Sequence, residues 1–205
     1  QGGYFVAYPT CPRKLPVVTP EQMAEVDRVV VEEYGISQAR MTENAGSSVA
    51  RVARKVFLRN YPRDKEVVVL AGAGGNGAGA MAAARKLANW GARVRVVLTK
   101  PRAEFMGVAG EEVAILERLG VEVSGGEEMQ YLARPALIID GLIGYGLKGA
   151  PRGVVEEAIE WMNKQPAPTL ALDLPAGLDA KSGATRGAVV KANATVTWGL
   201  PKRGL

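Results

Sequence analysis

A glycine-rich segment between a predicted strand and a predicted helix is the first pattern that could bind a ligand. Gly72, Gly74 and Gly77 match the spacing G-x-G-x-x-G within the sequence GAGGNGAG. Backbone amides that carry no side chains, placed at the start of a helix, can hold an anion such as a phosphate group. A tight turn that binds nothing is the alternative, but the position of the loop favours an anion-binding site.

The residues after the second predicted strand argue against an ordinary NAD dehydrogenase. Such an enzyme places Asp or Glu there to hold the ribose hydroxyls. Here the strand ends at Leu98 and is followed by Thr99, Lys100, Pro101 and Arg102. Lys100 and Arg102 could face a phosphate group, or they could simply lie in solvent.

Two aspartates at the ends of apolar strands are the candidate acid–base or cation-binding groups. Asp140 precedes the segment GLIGYGLKG, and Asp173 precedes LPAGLD. Because parallel strands end at the same edge of a sheet, we expect both side chains to project toward one face. Two acids beside an anion-binding loop indicate a cation site or an acid–base centre, with a purely structural network as the alternative.

Composition restricts the chemistry further. The 205 residues include no histidine and a single cysteine, Cys11. This excludes nucleophiles that histidine activates, ordinary zinc sites and an internal disulfide. Acid–base catalysis must therefore come from Asp, Glu, Lys, Tyr or the substrate. The net charge of +5 is spread along the chain, so an anionic small molecule is as plausible a partner as nucleic acid.

An alternation of strands and helices would position these residues. We predict a first helix that begins at Pro20, after Thr19 as N-cap, and stops at Gly35. Further helices are predicted at 42–56, 76–90, 109–119 and 154–162, and strands at 67–70, 94–98, 121–123, 136–139, 169–172 and 194–198. Short connections predict one α/β domain over 1–205, with three layers around a mostly parallel sheet and an irregular arm at 1–18. Neither a membrane span nor a signal-peptide pattern is recognisable, so we expect a cytoplasmic protein.

A series of motifs in this chain resembles the NAD(P)H-hydrate epimerases, the YjeF N-terminal domain family. The resemblance extends from Pro16 to Leu205. Its segments are TPEQM from Thr19, TENAG from Thr42, the glycine loop, DGLIGYGL from Asp140, DLPAGLD from Asp173, and ATVTWG from Ala194 with Pro201 and Lys202. Several ordered motifs at compatible spacing are far more specific than one glycine pattern.

The resemblance implies a Rossmann-like fold and an activity. Members of this family interconvert the R and S forms of hydrated NADH and NADPH, and a partner dehydratase repairs the S form. The reaction needs no redox cofactor, and one potassium ion binds to each subunit. A homodimer is a possible assembly.

The resemblance also assigns site residues. The dinucleotide would contact Gly75, Asn76, Gly77, Ala78 and Gly79, then Gly144, Tyr145, Gly146, Leu147, Lys148, Gly149 and Ala150, and also Asp173. The potassium positions fall on Asn76, Asp140 and Ala176. With no histidine in the chain, we expect Asp173 to be the catalytic acid–base group.

Two departures from the family pattern bear on activity. The usual loop Asn-Asn-Gly-Gly-Asp-Gly has lost its first Asn and its Asp, and Ala176 replaces a serine, so that only its backbone carbonyl could bind a cation. Because potassium binds through oxygen atoms, we expect a weaker site. The alternative function is a non-catalytic, nucleotide-binding relative that acts as a binding or scaffold module.

Overall fold

The computed structural model describes residues 14–132 and 134–205, so most of the predicted arm lies outside the described residues. The helices are α1 (Pro20–Glu32), α2 (Gln38–Val52), α3 (Gly75–Asn89), α4 (Gly107–Arg118) and α5 (Val154–Lys164). The strands are β1 (Glu66–Ala71), β2 (Arg93–Leu98), β3 (Glu122–Gly125), β4 (Leu137–Gly141), β5 (Thr169–Leu172) and β6 (Ala194–Val196).

The strands form one sheet in the order β3-β2-β1-β4-β5-β6. Every neighbouring pair is parallel, which confirms the predicted α/β class. The chain first adds strands on one side of β1 and then returns to add β4 on its other side. In such sheets a crevice opens where the order reverses, outside the carboxyl ends of the strands. Here that position lies between β1 and β4.

Helices cover both faces of the sheet, because its strands are apolar on both sides. Val67 and Val69 of β1 pack in a core that includes α2, α3 and α4. Val68 and Leu70 point to the opposite face and pack with α5. Side chains of a strand alternate between faces, so a strand covered twice has a continuous apolar sequence. The three predicted layers are therefore confirmed.

Helix α2 begins earlier than we predicted. Ser37 is its N-cap and accepts the backbone N–H of Arg40, so that Thr42 is an interior, buried residue. Serine is a favoured N-cap because its side chain satisfies an otherwise unpaired amide. The helix also changes to a π-helical turn at Ala53–Phe57. The earlier start places one more turn of α2 above the crevice.

The two ends of the described chain meet beside the sheet. Val18 forms a parallel bridge with Lys202. Its N–H donates to the carbonyl of Pro201 at 2.9 Å, and its carbonyl accepts the N–H of Arg203 at 2.9 Å. This contact holds the C-terminal segment in place and directs the side chain of Lys202 inward. In the part of the chain that the structure describes, none of the helices has the length and apolar character that crossing a membrane requires.

Candidate functional site

A cleft of about 670 Å³ lies at the carboxyl ends of β1, β4 and β5. Its walls include Thr42 and Ala45 of α2, the glycine loop 72–76, the segment 142–146 and Asp173. Helix α2 covers one side of the cleft with its buried face, to which Thr42 and Ala45 belong. The cleft thus occupies the place at which open parallel sheets bind ligands.

Glycines shape the loop in two different ways. A Cβ at Gly72 would overlap the carbonyl oxygen of Leu142, and one at Gly77 would overlap the carbonyl oxygen of Gly72. These two glycines let neighbouring backbone segments pack closely. Gly74 and Gly75, in contrast, have open space at the Cβ position and line the cleft. Gly74 is the N-cap of α3, so the first amides of that helix are open to a ligand.

Asp173 has a backbone conformation that side-chain-bearing residues rarely adopt. It follows β5 directly and has a φ of 63°. Its N–H donates to the carbonyl of Val196 at 2.8 Å, which fixes this conformation against β6. Left-handed backbone at a non-glycine residue costs free energy and occurs often at functional sites. Asp173 is 3% exposed and lines the floor of the cleft.

A buried lysine compensates the charge of Asp173. Lys202 is 1% exposed, and its ammonium group donates a hydrogen bond to Oδ1 of Asp173. The Thr197 hydroxyl donates to the same oxygen at 3.1 Å. Lys202 also donates to the hydroxyl of Thr197 at 3.3 Å and to the carbonyl of Trp198 at 3.1 Å. The ion pair therefore has the additional hydrogen bonds that burial of two charges requires.

The other carboxylate oxygen of Asp173 lies beside Asn76 and Gly144. A Cβ built on Gly144 would be 3.1 Å from Oδ2 of Asp173 and 3.3 Å from Oδ1 of Asn76. Among the described residues, Nδ2 of Asn76 is the one buried side-chain nitrogen or oxygen atom with no hydrogen-bond partner. Buried polar atoms are normally paired. An unpaired amide beside the carboxylate is therefore available to a ligand.

Tyr145 connects the site to α1. Its hydroxyl donates to Oδ2 of Asp27 at 2.6 Å, and the Lys202 ammonium lies 5.8 Å from the centre of its ring. Burial, together with the nearby Asp27 carboxylate, raises the pKa of Tyr145 above its usual range. The sequence does not single out Asp27, because α1 carries several acids, Glu21, Glu25 and Glu32 among them. Both residues line the cleft.

Asp140 lies beneath the cleft rather than in it. It is completely buried, and its two oxygens accept the backbone N–H groups of Leu142 at 3.1 Å and Ala176 at 2.8 Å. Burial raises the pKa of Asp140 to about 7, although both hydrogen bonds act in the opposite direction. Both aspartates lie at the carboxyl edge of the sheet, as we predicted, but they do not share one space. The Asp140 carboxylate turns back onto the loop after β5, whereas that of Asp173 faces the cleft.

The structure places some of the predicted binding residues around the cleft and others away from its lining. The lining residues among them are Gly75, Asn76, Gly144, Tyr145, Gly146 and Asp173. Gly77, Ala78 and Gly79 are buried within α3, while Leu147, Lys148, Gly149 and Ala150 continue the loop beyond the lining. A dinucleotide could contact the loop from Leu147 to Ala150 only where it extends past the cleft.

The two basic residues after β2 are already paired. Lys100 lines the edge of the cleft, and its ammonium lies 2.8 Å from the Glu104 carboxylate. Arg102 is paired with Glu117 at 3.2 Å. All four side chains are exposed to solvent, where such pairs contribute little stability. A phosphate group would have to compete with these carboxylates.

Comparison with known proteins assigns this chain to a family. A family model described as "YjeF-related protein N-terminus" matches residues 38–204. An NAD(P)H-hydrate epimerase of Dehalogenimonas lykanthroporepellens is 38% identical and aligns over 92% of this chain and 76% of its own length. One of Elusimicrobium minutum is 32% identical over 91% of this chain and 87% of its own length.

Longer relatives and one solved structure also match. The bifunctional NAD(P)H-hydrate repair enzyme Nnr of Salinibacter ruber is 36% identical over 95% of this chain, which spans only 38% of that protein. The crystal structure of yeast ynu0 superposes with a TM-score of 0.81 at 28% identity, over 93% of this chain and 83% of the yeast chain. On this sequence and structural similarity, the chain belongs to the family of YjeF-related protein N-termini.

Proposed function

We propose that this protein is an NAD(P)H-hydrate epimerase, which interconverts the R and S forms of hydrated NADH and NADPH. Relatives that align along most of their own length carry this name. The observation in the structure that supports the proposal most directly is the carboxylate of Asp173, held by Lys202 at the floor of the cleft. An acid–base group is what the reaction requires at the reacting carbon.

The glycine loop would bind the diphosphate of the substrate. The amides at the start of α3 are open to the cleft at Gly74 and Gly75, and a helix N-terminus favours a negative charge. The nicotinamide ring would then lie toward β5, beside Asn76, Gly144 and Asp173. Helix α2 and Tyr145 line this side of the cleft.

The reaction exchanges a hydroxyl group between the two faces of the ring. The lone pair of the ring nitrogen forms a double bond to the hydroxylated carbon, and the carbon–oxygen bond breaks with its electron pair on the departing oxygen. A water molecule then adds to the opposite face, and its proton passes to the Asp173 carboxylate, which leaves the ring neutral. The released hydroxide takes this proton back through solvent, so that the carboxylate is regenerated. We assign this proton transfer to Asp173, with the carboxylate also stabilising the positive charge of the ring between the two steps.

Asp140, one of the three predicted potassium positions, has surroundings that favour a cation. Asp140 is a completely buried carboxylate, and the ion pairs found among the described residues do not include it. A cation would compensate its charge, and each of its oxygens accepts only one hydrogen bond, so each has a free lone pair. Asn76 offers a side-chain oxygen, whereas the carbonyl of Ala176 already accepts the N–H of Val190 at 2.9 Å and would have to bind the ion with its second lone pair. When bound, the ion would supply positive charge beneath the strand ends.

A dehydratase is the expected functional partner. The bifunctional relatives combine repair activities in one longer protein, of which this chain spans the smaller part. Epimerisation alone does not restore the reduced coenzyme, because it leaves the hydroxyl on the ring. We therefore propose that the S form made here is consumed by a dehydratase.

The experiment follows the R form of the hydrate by chromatography, with and without the protein. We expect the R form to disappear faster than its spontaneous rate when a dehydratase removes the S form. Asp173→Asn keeps the size of the side chain and removes the proton transfer, so kcat should fall about 10²- to 10⁴-fold. A parent protein that binds the hydrate without accelerating its epimerisation would instead support a non-catalytic binding module.

A further inference from the structure

We infer that Lys202 and Thr197 are positioning residues for Asp173, which they hold so that only its Oδ2 can exchange a proton with the substrate. The inference rests on the proposed epimerase function and extends it to residues outside the cleft lining. Neither side chain lines the cleft, and both donate a hydrogen bond to Asp173, which does.

The two oxygens of the Asp173 carboxylate differ in their hydrogen bonds. Oδ1 accepts from both Lys202 and Thr197. Oδ2 has no hydrogen-bond donor among the described residues and lies on the side of Gly144, within the cleft. A carboxylate with one oxygen held by a cation and a hydroxyl cannot rotate freely. Its second oxygen is therefore presented to the ring at a fixed place.

The ammonium group of Lys202 is itself fixed from several sides. Its three hydrogen bonds go to Asp173, Thr197 and Trp198, which accounts for every N–H of an ammonium group. The Tyr145 ring lies across it. The bridge to Val18 holds the backbone of Lys202, so the segments at both ends of the described chain contribute to the position of one carboxylate.

The arrangement maintains a strained residue in one conformation. Asp173 has left-handed backbone, a conformation that persists only where its surroundings determine it. Reaction rates depend steeply on geometry, and a displacement of about 1 Å can reduce turnover about 10²-fold. Loss of Lys202 should therefore lower kcat while leaving the binding of the dinucleotide, which other residues provide, nearly unchanged.

A double-mutant cycle tests the inference with Lys202→Met, Asp173→Asn and the two combined. For Lys202→Met we expect kcat to fall about 10²-fold with KM within about twofold of the parent. In the Asp173→Asn background the same change should have almost no effect on kcat, because Lys202 acts through that carboxylate. Lys164→Met, at an exposed lysine of α5, is the matched control and should leave kcat unchanged.

A second variant addresses the stability of the fold. Lys202→Met leaves a buried carboxylate without its cation and could prevent folding. Thr197→Val has nearly the same shape and removes one hydrogen bond to Oδ1, so it should lower kcat about tenfold with KM unchanged.

Three results would overturn the inference. One is a folded Lys202→Met or Thr197→Val protein with the parent's kcat. Another is a loss of the same size in the Asp173→Asn background, which would place the action of Lys202 elsewhere. The third is a parent without epimerase activity, which would remove the proposed function together with the inference.

Discussion

Asp173 and Asp140 are both buried, and both lie at the carboxyl end of a strand. Their electrostatic surroundings nevertheless differ. Asp173 has a lysine, a threonine hydroxyl and an opening to the cleft. Asp140 has two backbone amides and no cationic side chain among its hydrogen-bond partners. Burial without a countercharge disfavours the ionised form of a carboxylate, and this raises the pKa of Asp140. This difference is the reason why we propose Asp173 for the proton transfer and Asp140 for the cation.

The proposed cation site predicts that potassium stabilises the protein. We expect the melting temperature to rise with added potassium chloride, because an ion that binds only the folded state stabilises it by mass action. The response should saturate in the millimolar range, since Ala176 lacks the serine hydroxyl. Asp140→Asn should abolish the response, and Ala176→Ser should strengthen it. Equal melting temperatures in potassium and tetramethylammonium chloride would contradict the site.

The diphosphate contact predicts a charge effect at Gly75. A side chain there meets open space, unlike one at Gly77, which would overlap the loop itself. Gly75→Asp should weaken the binding of NADPH at least tenfold, about 1.4 kcal/mol, because it places a negative charge in the path of the diphosphate. Gly75→Asn has the same shape without the charge and is the control. Calorimetric titration measures both, and equal affinities would remove this loop from the site.

At the scale of elements, a group of charged side chains joins α2, α3 and α4 on one face of the sheet. Arg85 and Lys86 of α3 both pair with Glu43 of α2, and Arg85 also lies 3.5 Å from Glu112 of α4. Glu112 is 7% exposed, and burial raises its pKa above the usual value in spite of Arg85. These contacts connect the helix that covers the cleft to the helix that begins at the glycine loop.

The raised pKa of Glu112 predicts a pH-dependent stability. A carboxyl group whose pKa is higher in the folded than in the unfolded protein contributes to stability. The contribution is complete at a pH below the pKa of the unfolded state, about 4.3 for Glu, and it is lost as the pH rises through the pKa of the folded state. The melting temperature of Glu112→Gln, relative to that of the parent, should therefore increase as the pH rises from acid to neutral. Calorimetry at a series of pH values measures this difference. Parallel curves would contradict the prediction, and Glu111→Gln, at an exposed neighbour, is the control.

At the scale of the whole molecule, the strand order brings distant segments to one edge of the sheet. The glycine loop follows β1, the Gly144 segment follows β4 and Asp173 follows β5, three strands that are adjacent in the order β1-β4-β5. Segments before α1 and after β6 meet at Val18 and Lys202, and the Lys202 side chain contacts Asp173. The cleft is therefore a property of the complete domain, and no single βαβ unit contains it.

The sequence by itself determined the α/β class, the strands, the glycine loop and the aspartates as candidates. These features depend on local periodicity and on residue types at strand ends, which the chain displays directly. It also led to Lys202 as a family motif, although not to its burial against Asp173.

Only the tertiary structure decided which aspartate faces the cleft and which groups surround it. The contact of Lys202 with Asp173 joins residues 29 positions apart, and that of Tyr145 with Asp27 joins residues 118 positions apart. Whether a buried carboxylate has a countercharge depends on such contacts, because electrostatic interactions act through space and not along the chain. The local sequence around Asp140 and Asp173 is similar, so it could not distinguish their surroundings.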